Sequence, residues 1–201
     1  ARYFQFFARP DTRWIGTAAG CSDPCPDFTG VNNQQRMRIA AKMAGGAEAV
    51  NDVAWLFDNA ATRLGPSVRK PYAVLVPGCS LAKPQKRWPA ENFAALARTW
   101  HEDNISVMLT GTGADRDVVD MVQSLAPDAI NLCGHTSIAN LARLTASAEF
   151  VVGNDTGPVF LAAAIGAPTI MVMGPDTNPE MSAPTGPRCD WLRATPISNV
   201  S

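Results

Sequence analysis

Short apolar segments alternate with amphipathic segments between Tyr72 and Gly174, and this alternation constrains the fold more than any other feature. The apolar segments are rich in Val, Ile and Leu, as strands buried on both faces of a parallel sheet are. Five strands are predicted, over residues 72–77, 105–111, 129–134, 149–154 and 168–174. Four helices are predicted between them, over residues 90–102, 115–126, 137–146 and 158–165. This order predicts an α/β domain built on a parallel sheet with right-handed crossovers.

Residues 1–68 lack this alternation, and the change of pattern predicts a second domain. Asn32 or Asn33 is a candidate N-cap for a helix over residues 34–43. The predicted domains are therefore residues 1–68 and residues 69–201, joined by a segment that contains Gly and Pro.

The charge balance argues against a nucleic-acid-binding protein. Lys and Arg number 17, Asp and Glu number 18, and the formal net charge is −1, whereas a dedicated nucleic-acid binder normally carries a basic excess. The 5 cysteines are scattered without a CxxC pair, so we expect reduced thiols and no structural metal site. No apolar run reaches the length of a transmembrane helix.

Glycine and small polar residues follow every predicted strand. They occupy residues 77–80, 111–113, 134–136, 153–157 and 174–176. In an open parallel sheet, ligands bind outside the carboxyl ends of the strands. One glycine-rich turn is weak evidence, because turns need glycine anyway, but five at one edge predict a ligand-binding rim.

The turn after the fourth predicted strand suits a phosphate. Asp155 or Thr156 can cap the next helix, and Pro158 fits its first turn. Gly157 lets a ligand approach the backbone, where free amides and the positive end of the helix dipole favour an anion. A capped strand-to-helix turn without a ligand fits the same residues, so this segment alone leaves both interpretations open.

The loop after the first predicted strand carries a hydroxyl and three cations: Ser80, Lys83, Lys86 and Arg87. Cations at the carboxyl end of a strand match a diphosphate, and a solvated basic loop is the alternative. The Walker A pattern GxxxxGK[ST] is absent, and no GxGxxG follows a strand.

Two predicted helices carry residues that we interpret as structural. Asp115 and Asp117 begin the second helix, where the helix dipole favours carboxylates. Ile138, Leu141 and Leu144 share one face of the third helix, which predicts that all three point into the core.

In combination these motifs resemble glycosyltransferase family 9, the bacterial ADP-heptose:lipopolysaccharide heptosyltransferases. The resemblance rests on PGCS, KRWP, GTGADRD, NLCGHTSIANLARL and VVGNDTGP in that order, between about residues 71 and 187. It implies a Rossmann-like parallel sheet with helices on both faces, the carboxyl-terminal half of a GT-B architecture. Residues 1–68 would then be a remnant of the amino-terminal acceptor domain and its connector.

The resemblance also implies the reaction, an inverting transfer of heptose or a related sugar from an ADP-sugar to a lipopolysaccharide core acceptor, without a metal or other cofactor. The general base is expected in the amino-terminal half. Since the first residues resemble an interior start, we expect a chain that carries the ADP-sugar site without the complete active site. The implied location is cytoplasmic, with peripheral contact at the inner face of the inner membrane.

The resemblance assigns two sets of residues to the ADP-sugar. The diphosphate would be bound by Ser80, Lys86, Asp155, Thr156 and Gly157. Gly134 and Thr136 would lie near the nucleoside. Gly111 and His135 belong to the same predicted rim on the nucleoside side, and a solvated loop histidine is the alternative for His135.

Phe160 departs from the family pattern, which has His at this position. Phenylalanine neither donates a hydrogen bond nor carries charge. Because Phe160 follows Thr156 by four residues, we expect it near the phosphate-binding turn, where a histidine would add a hydrogen-bond donor. Two alternatives stay open: another nucleotide-sugar enzyme of the same architecture, such as an epimerase or a different glycosyltransferase, and a non-catalytic nucleotide-sugar-binding relative, which Phe160 favours.

Overall fold

The structure, a computed structural model, describes most of the chain. The described residues are Arg9, 11–47, Val53, 55–58 and 71–200. Two compact units are present, one of residues 1–52 with 180–182 and the other of residues 53–179 with 183–201. The assignment of residues 1–68 to an acceptor domain and residues 69–201 to a nucleotide-sugar domain stays a prediction.

The described residues of the smaller unit form two short strands and one complete helix. Strands β1 (Ile15–Gly16) and β2 (Asp23–Pro24) pair in parallel. Helix α1 (Asn33–Met43) follows, and the side chain of Asn32 accepts a hydrogen bond from the backbone N–H of Gln34 at 2.9 Å. This contact satisfies one of the free amides at the helix start, and it confirms the predicted helix and its cap.

The larger unit is an α/β structure. Its strands are β3 (Tyr72–Val76), β4 (Ser106–Leu109), β5 (Ile130–Asn131), β6 (Phe150–Asn154), β7 (Thr169–Met173) and β8 (Cys189–Arg193). Its helices are α2 (Trp55–Asp58), α3 (Ala90–Glu102), α4 (Arg116–Leu125), α5 (Ile138–Ala146) and α6 (Gly157–Ile165); α7 (Pro179–Ser182) follows β7 along the chain. Single 3-10 turns lie at Pro84–Lys86, Gly113–Asp115 and Ile197–Asn199. Every described helix is too short or too polar to cross a lipid bilayer.

The six strands form one parallel sheet in the order β5-β4-β3-β6-β7-β8. The chain runs outward from β3 through β4 to β5, then returns to the other side of β3 and continues through β6 and β7 to β8. The direction of winding therefore reverses between β3 and β6, the position at which sheets of this order bind ligands. The predicted Rossmann-like parallel sheet is confirmed.

Helices cover both faces of this sheet. Leu75 of β3 packs in the same buried cluster as Phe93 of α3, and its neighbour Val76 packs with Leu144 of α5 and Val159 of α6 on the other face. Successive residues of a strand point to opposite faces, so one strand supplies both halves of the core.

Strand β8 was not predicted from the sequence. It pairs with β7 from Thr169↔Cys189 to Met173↔Arg193, and four of its five residues are exposed. Because it lies at the end of the strand order, it needs no continuous apolar run, and the sequence pattern of a buried parallel strand is missing.

Tyr72 gives the core a pH-dependent contribution to stability. Its hydroxyl donates a hydrogen bond to the backbone carbonyl of Leu144 at 2.7 Å, and the side chain is buried. Burial raises the pKa of the Tyr72 phenol above its ordinary value, because the anionic form would lose its hydration. The folded-state pKa thus exceeds the unfolded one, so this stabilisation is complete below about pH 10 and is lost as the pH rises through the folded-state pKa.

We therefore expect the free energy of unfolding to fall above about pH 10, and to fall less steeply in a Tyr72→Phe variant. At pH 7 the variant should be less stable by about 1–3 kcal/mol, since the Leu144 carbonyl loses its buried partner. Urea unfolding of both chains between pH 7 and 11 measures this difference. Parallel curves for the two chains would show that Tyr72 contributes no pH dependence.

Candidate functional site

A cavity of about 410 Å³ opens at the carboxyl ends of the strands. It lies beside the position where the winding of the sheet reverses, and its walls come from the ends of β3 and β4, the loop before α5, and the start of α6. Four of the predicted site residues line it: Gly111, Gly134, Thr136 and Thr156. The structure thus brings together residues that follow three separate strands, β4, β5 and β6. His135 is exposed and is not among the lining residues.

Lys86 and Asp155 form an ion pair next to the start of α6. The ammonium of Lys86 contacts Asp155 Oδ2, and the two side chains are 15% and 10% exposed. The hydroxyl of Thr177 donates to the same carboxylate oxygen at 3.0 Å. The loops that follow β3, β6 and β7 therefore meet at one shielded charge pair. An ammonium has three N–H donors, so Lys86 keeps the capacity to bind a phosphate oxygen.

The remaining residues of the predicted diphosphate set are Ser80 and Gly157, and both are exposed. The Ser80 carbonyl accepts a hydrogen bond from the backbone N–H of Lys83 at 3.1 Å, which closes the turn before Lys86. A Cβ built on Gly157 meets no described atom within 4 Å. The packing of the chain therefore does not demand glycine at the first residue of α6.

Asp115 has a second role that the sequence did not suggest. Its Oδ2 accepts hydrogen bonds from the backbone N–H of Thr112 at 2.9 Å and from the Thr112 hydroxyl at 2.8 Å. These bonds fix the turn before α4, which agrees with the structural interpretation. The same side chain also lines the cavity and lies against the end of β3, where a Cβ on Gly78 would be 2.3 Å from Asp115 Cγ. Only glycine fits there, and the carboxylate borders the cavity.

Ile138 was predicted to point into the core, and this prediction is wrong. The side chain is 69% exposed and lines the cavity, while Leu144 on the same helix is buried. Ser137 caps α5 by accepting a hydrogen bond from the backbone N–H of Asn140 at 3.2 Å. The first turn of α5 therefore projects past the core, so an apolar residue lies at the cavity.

Phe160 packs against the buried apolar cluster that contains Val76, Val159 and Met173. It is half-buried, so part of its ring surface is removed from water. Through this packing Phe160 helps to hold α6 on the sheet. The sequence indicated a position for Phe160 near the phosphate-binding turn and did not predict this packing.

Within the described residues, no group of three His, Cys, Asp or Glu side chains lies close enough to share a metal ion. Cys133 lies behind one wall of the cavity: its Sγ donates to the carbonyl of Thr112, a lining residue, at 3.0 Å. Burial raises the pKa of the Cys133 thiol, so the neutral form is favoured and the thiol is a weak nucleophile.

Fold and site together define a Rossmann-like domain with a cavity at the reversal point of the sheet and a helix start beside a lysine, an arrangement that can bind an anion. The sequence model of glycosyltransferase family 9 (heptosyltransferase) matches residues 27–199. The chain belongs to this family, and the resemblance drawn from its motifs is confirmed.

Similar proteins agree with this assignment. Lipooligosaccharide heptosyltransferase 2 of Haemophilus influenzae is 30% identical over 129 residues, which make up 62% of this chain and 37% of that protein. Lipopolysaccharide heptosyltransferase 2 of Escherichia coli is 27% identical over 132 residues, 63% of this chain and 37% of that protein. The chain thus spans well under half the length of these curated relatives.

Among solved structures, the E. coli heptosyltransferase WaaC with ADP is similar, with a TM-score of 0.72. The match is 24% identical and covers 90% of this chain and 57% of that one. At this identity the likeness concerns the fold, and it agrees with the predicted half of a GT-B architecture.

A Phe160→His variant separates a packing role from a phosphate-binding one. Since the ring packs against the apolar cluster, we expect the imidazole to lower the free energy of unfolding by about 1–3 kcal/mol and to leave the affinity for ADP unchanged. Thermal melting and ADP titration measure the two effects.

The control is Phe160→Leu, which keeps an apolar side chain and should cost less than about 1.5 kcal/mol. Tighter ADP binding by Phe160→His at unchanged stability would contradict the packing role and place residue 160 beside the diphosphate.

Proposed function

We propose that this chain supplies the ADP-sugar half of an inverting heptosyltransferase that transfers heptose or a related sugar to a lipopolysaccharide core. The observation that carries the proposal is the position of the Lys86–Asp155 pair and the α6 start next to one cavity at the reversal point of the sheet. The names of the family and of its relatives support the transferred sugar and the acceptor.

The diphosphate would lie at the start of α6. Free backbone amides there, with the positive end of the helix dipole, favour an anion. Gly157 supports this position. Neither the packing around it nor a positive φ requires glycine there, whereas a ligand lying close to the backbone would require a residue without a side chain. Lys86 adds a charged hydrogen-bond donor, and Thr156 lines the cavity next to this turn. Ser80, on the loop that leads to Lys86, is proposed to contribute its hydroxyl.

The nucleoside would occupy the cavity. Its volume of about 410 Å³ falls within the usual range of roughly 300–1,000 Å³ for small-molecule sites. Gly111, Gly134 and Thr136 leave room at the ends of β4 and β5, and exposed Ile138 offers an apolar surface to a base. His135 would lie at the outer rim.

In the transfer, the acceptor hydroxyl attacks the anomeric carbon while the bond to the ADP oxygen breaks, and ADP leaves with an increased negative charge. Fixed donors aimed at that charge lower the barrier. In this chain Lys86 and the amides at the start of α6 would supply them. We assign the general base and the acceptor site to the amino-terminal half of the complete protein, and we propose a cytoplasmic location with peripheral contact at the inner membrane.

A second candidate is a nucleotide-sugar-binding relative without catalysis. Phe160 favours it, because a half-buried phenylalanine packed against the apolar cluster stands where the family pattern places histidine. Transfer of heptose by the complete protein separates the two: both bind the nucleotide, and only the enzyme releases ADP when the acceptor is present.

The first test is a panel of nucleotides. We expect ADP to stabilise the chain, because a ligand that binds only the native state raises the free energy of unfolding by about 2.7 kcal/mol at 100 times its Kd. For a chain of this size this corresponds to a rise in Tm of about 5–10 °C. UDP and GDP should shift Tm less. Equal shifts for all three would contradict an ADP-sugar, and no shift for any would contradict the proposed function.

The second test concerns Lys86. We expect Lys86→Ala to weaken ADP binding about 10- to 100-fold, since a charged hydrogen bond contributes roughly 1.5–3 kcal/mol. Adenosine binding should change less than about twofold, because adenosine lacks the phosphates. The matched control is Lys83→Ala, which removes an exposed lysine from the same loop. If adenosine and ADP lose affinity equally in Lys86→Ala, Lys86 supports the fold and not the diphosphate.

A further inference from the structure

The buried side chain of Asn154 joins two loops at the proposed diphosphate site. Asn154 is the last residue of β6, and it is fully buried. Its Oδ1 accepts a hydrogen bond from the backbone N–H of Trp88 at 2.9 Å, and its Nδ2 donates to the backbone carbonyl of Pro77 at 2.7 Å. Both ends of the carboxamide are thus bound to backbone groups of a segment far away in sequence.

These two contacts hold the two ends of the loop that carries Lys86. Pro77 follows β3 directly and begins the loop, and Trp88 ends it just after Lys86. Asn154 itself precedes Asp155, the partner of Lys86. One side chain therefore fixes the base of the lysine loop to the strand end that carries its carboxylate.

Neighbouring contacts support the loop from its other sides. The indole Nε1 of Trp88 donates to the carbonyl of Val200 at 2.9 Å, and a Cβ on Gly174 would lie 3.2 Å from Lys86 Cα. The loop is close-packed at these points. The bond from Asn154 to Trp88 satisfies a buried amide, which would cost free energy if left without a partner.

We propose that Asn154 is a positioning residue for the donor diphosphate: it holds the Lys86 loop against Asp155 so that the ammonium faces the start of α6. Asn154 does not touch the ligand in this role. The inference rests on the proposed function, because it concerns the orientation of the lysine that would bind the phosphates. A displacement of the Lys86 ammonium by less than 1 Å would weaken phosphate binding, because the strength of a charged hydrogen bond depends on its distance and angle.

The test compares Asn154→Leu, which keeps the shape of the side chain and removes both hydrogen bonds, with Asn154→Asp, which keeps the acceptor for Trp88 and loses the donor to Pro77. Affinities for ADP and adenosine are measured by titration calorimetry well below each melting temperature. We expect ADP binding to weaken at least tenfold in Asn154→Leu, and less in Asn154→Asp, while adenosine binding changes less than twofold. If Asn154→Leu does not fold, Asn154→Asp carries the comparison.

Two controls distinguish positioning from a general loss of stability. Thr169→Val removes another buried polar group, whose hydroxyl donates to the carbonyl of Ala167 at 2.9 Å at the opposite end of the sheet; it should lower Tm without changing ADP affinity. In a Lys86→Ala background, Asn154→Asp should weaken ADP binding less than twofold further, because the group that Asn154 positions is already gone.

The outcomes separate the two proposals. Two results would overturn the positioning role while leaving an ADP site intact. One is an equal loss of affinity for ADP and for adenosine in the Asn154 variants. The other is a loss of ADP affinity on Asn154→Asp that is the same with and without Lys86. Failure of the unaltered chain to bind any of ADP, UDP and GDP would overturn the proposed function and, with it, this inference.

Discussion

The parallel pairing of β3 with β6 determines where chemistry can take place in this chain. Val76 and Gly153 are register partners at the carboxyl ends of the two strands, and the chain leaves these ends toward opposite faces, to α3 and to α6. Two loops that leave one sheet edge in opposite directions cannot fill the space between them, so a cavity opens there. The strands themselves are buried, and the loops that follow them carry the polar groups.

The Lys86–Asp155 pair would prepare this edge of the sheet for the proposed diphosphate. A free lysine side chain loses roughly 1.5–2 kcal/mol of conformational free energy when it is fixed. In this structure Lys86 is already held by Asp155, and Asp155 by Thr177, so ligand binding would not have to order it again. The negative charge of Asp155 opposes a diphosphate, and this repulsion is reduced because the same carboxylate oxygen already accepts from both partners.

The sequence predicted most of the strands and helices and the parallel sheet that they form, but not which side chains meet in it, for a physical reason. Helix α3 was predicted with the observed limits because Pro89 precedes it and Phe93 and Ala97 repeat at helical spacing. Periodicity is local, so it could not show that the core ends before Ile138, or that an edge strand with exposed residues would form β8. The sequence identified the site residues one at a time, each by its position after a predicted strand, and not the contacts between them. That Lys86 meets Asp155, or that Asn154 binds both ends of the Lys86 loop, depends on the adjacency of β3 and β6, which contact across a long stretch of sequence.

Asn154 and Phe160 lie on either side of the turn between β6 and α6, and they stabilise different parts of the structure. Phe160 faces the apolar cluster and fixes α6 to the sheet, while Asn154, on the strand before this helix, fixes the lysine loop through two hydrogen bonds. With no imidazole at position 160, backbone amides and Lys86 would supply the positive field at the diphosphate. Amides have fixed directions and no net charge, so the net charge of this corner would depend on Lys86 and Asp155. A single lysine can bind the proposed diphosphate well only if its loop holds the ammonium in the right direction. The buried carboxamide of Asn154, which binds both ends of that loop, adds a constraint that the Lys86–Asp155 pair alone would not give.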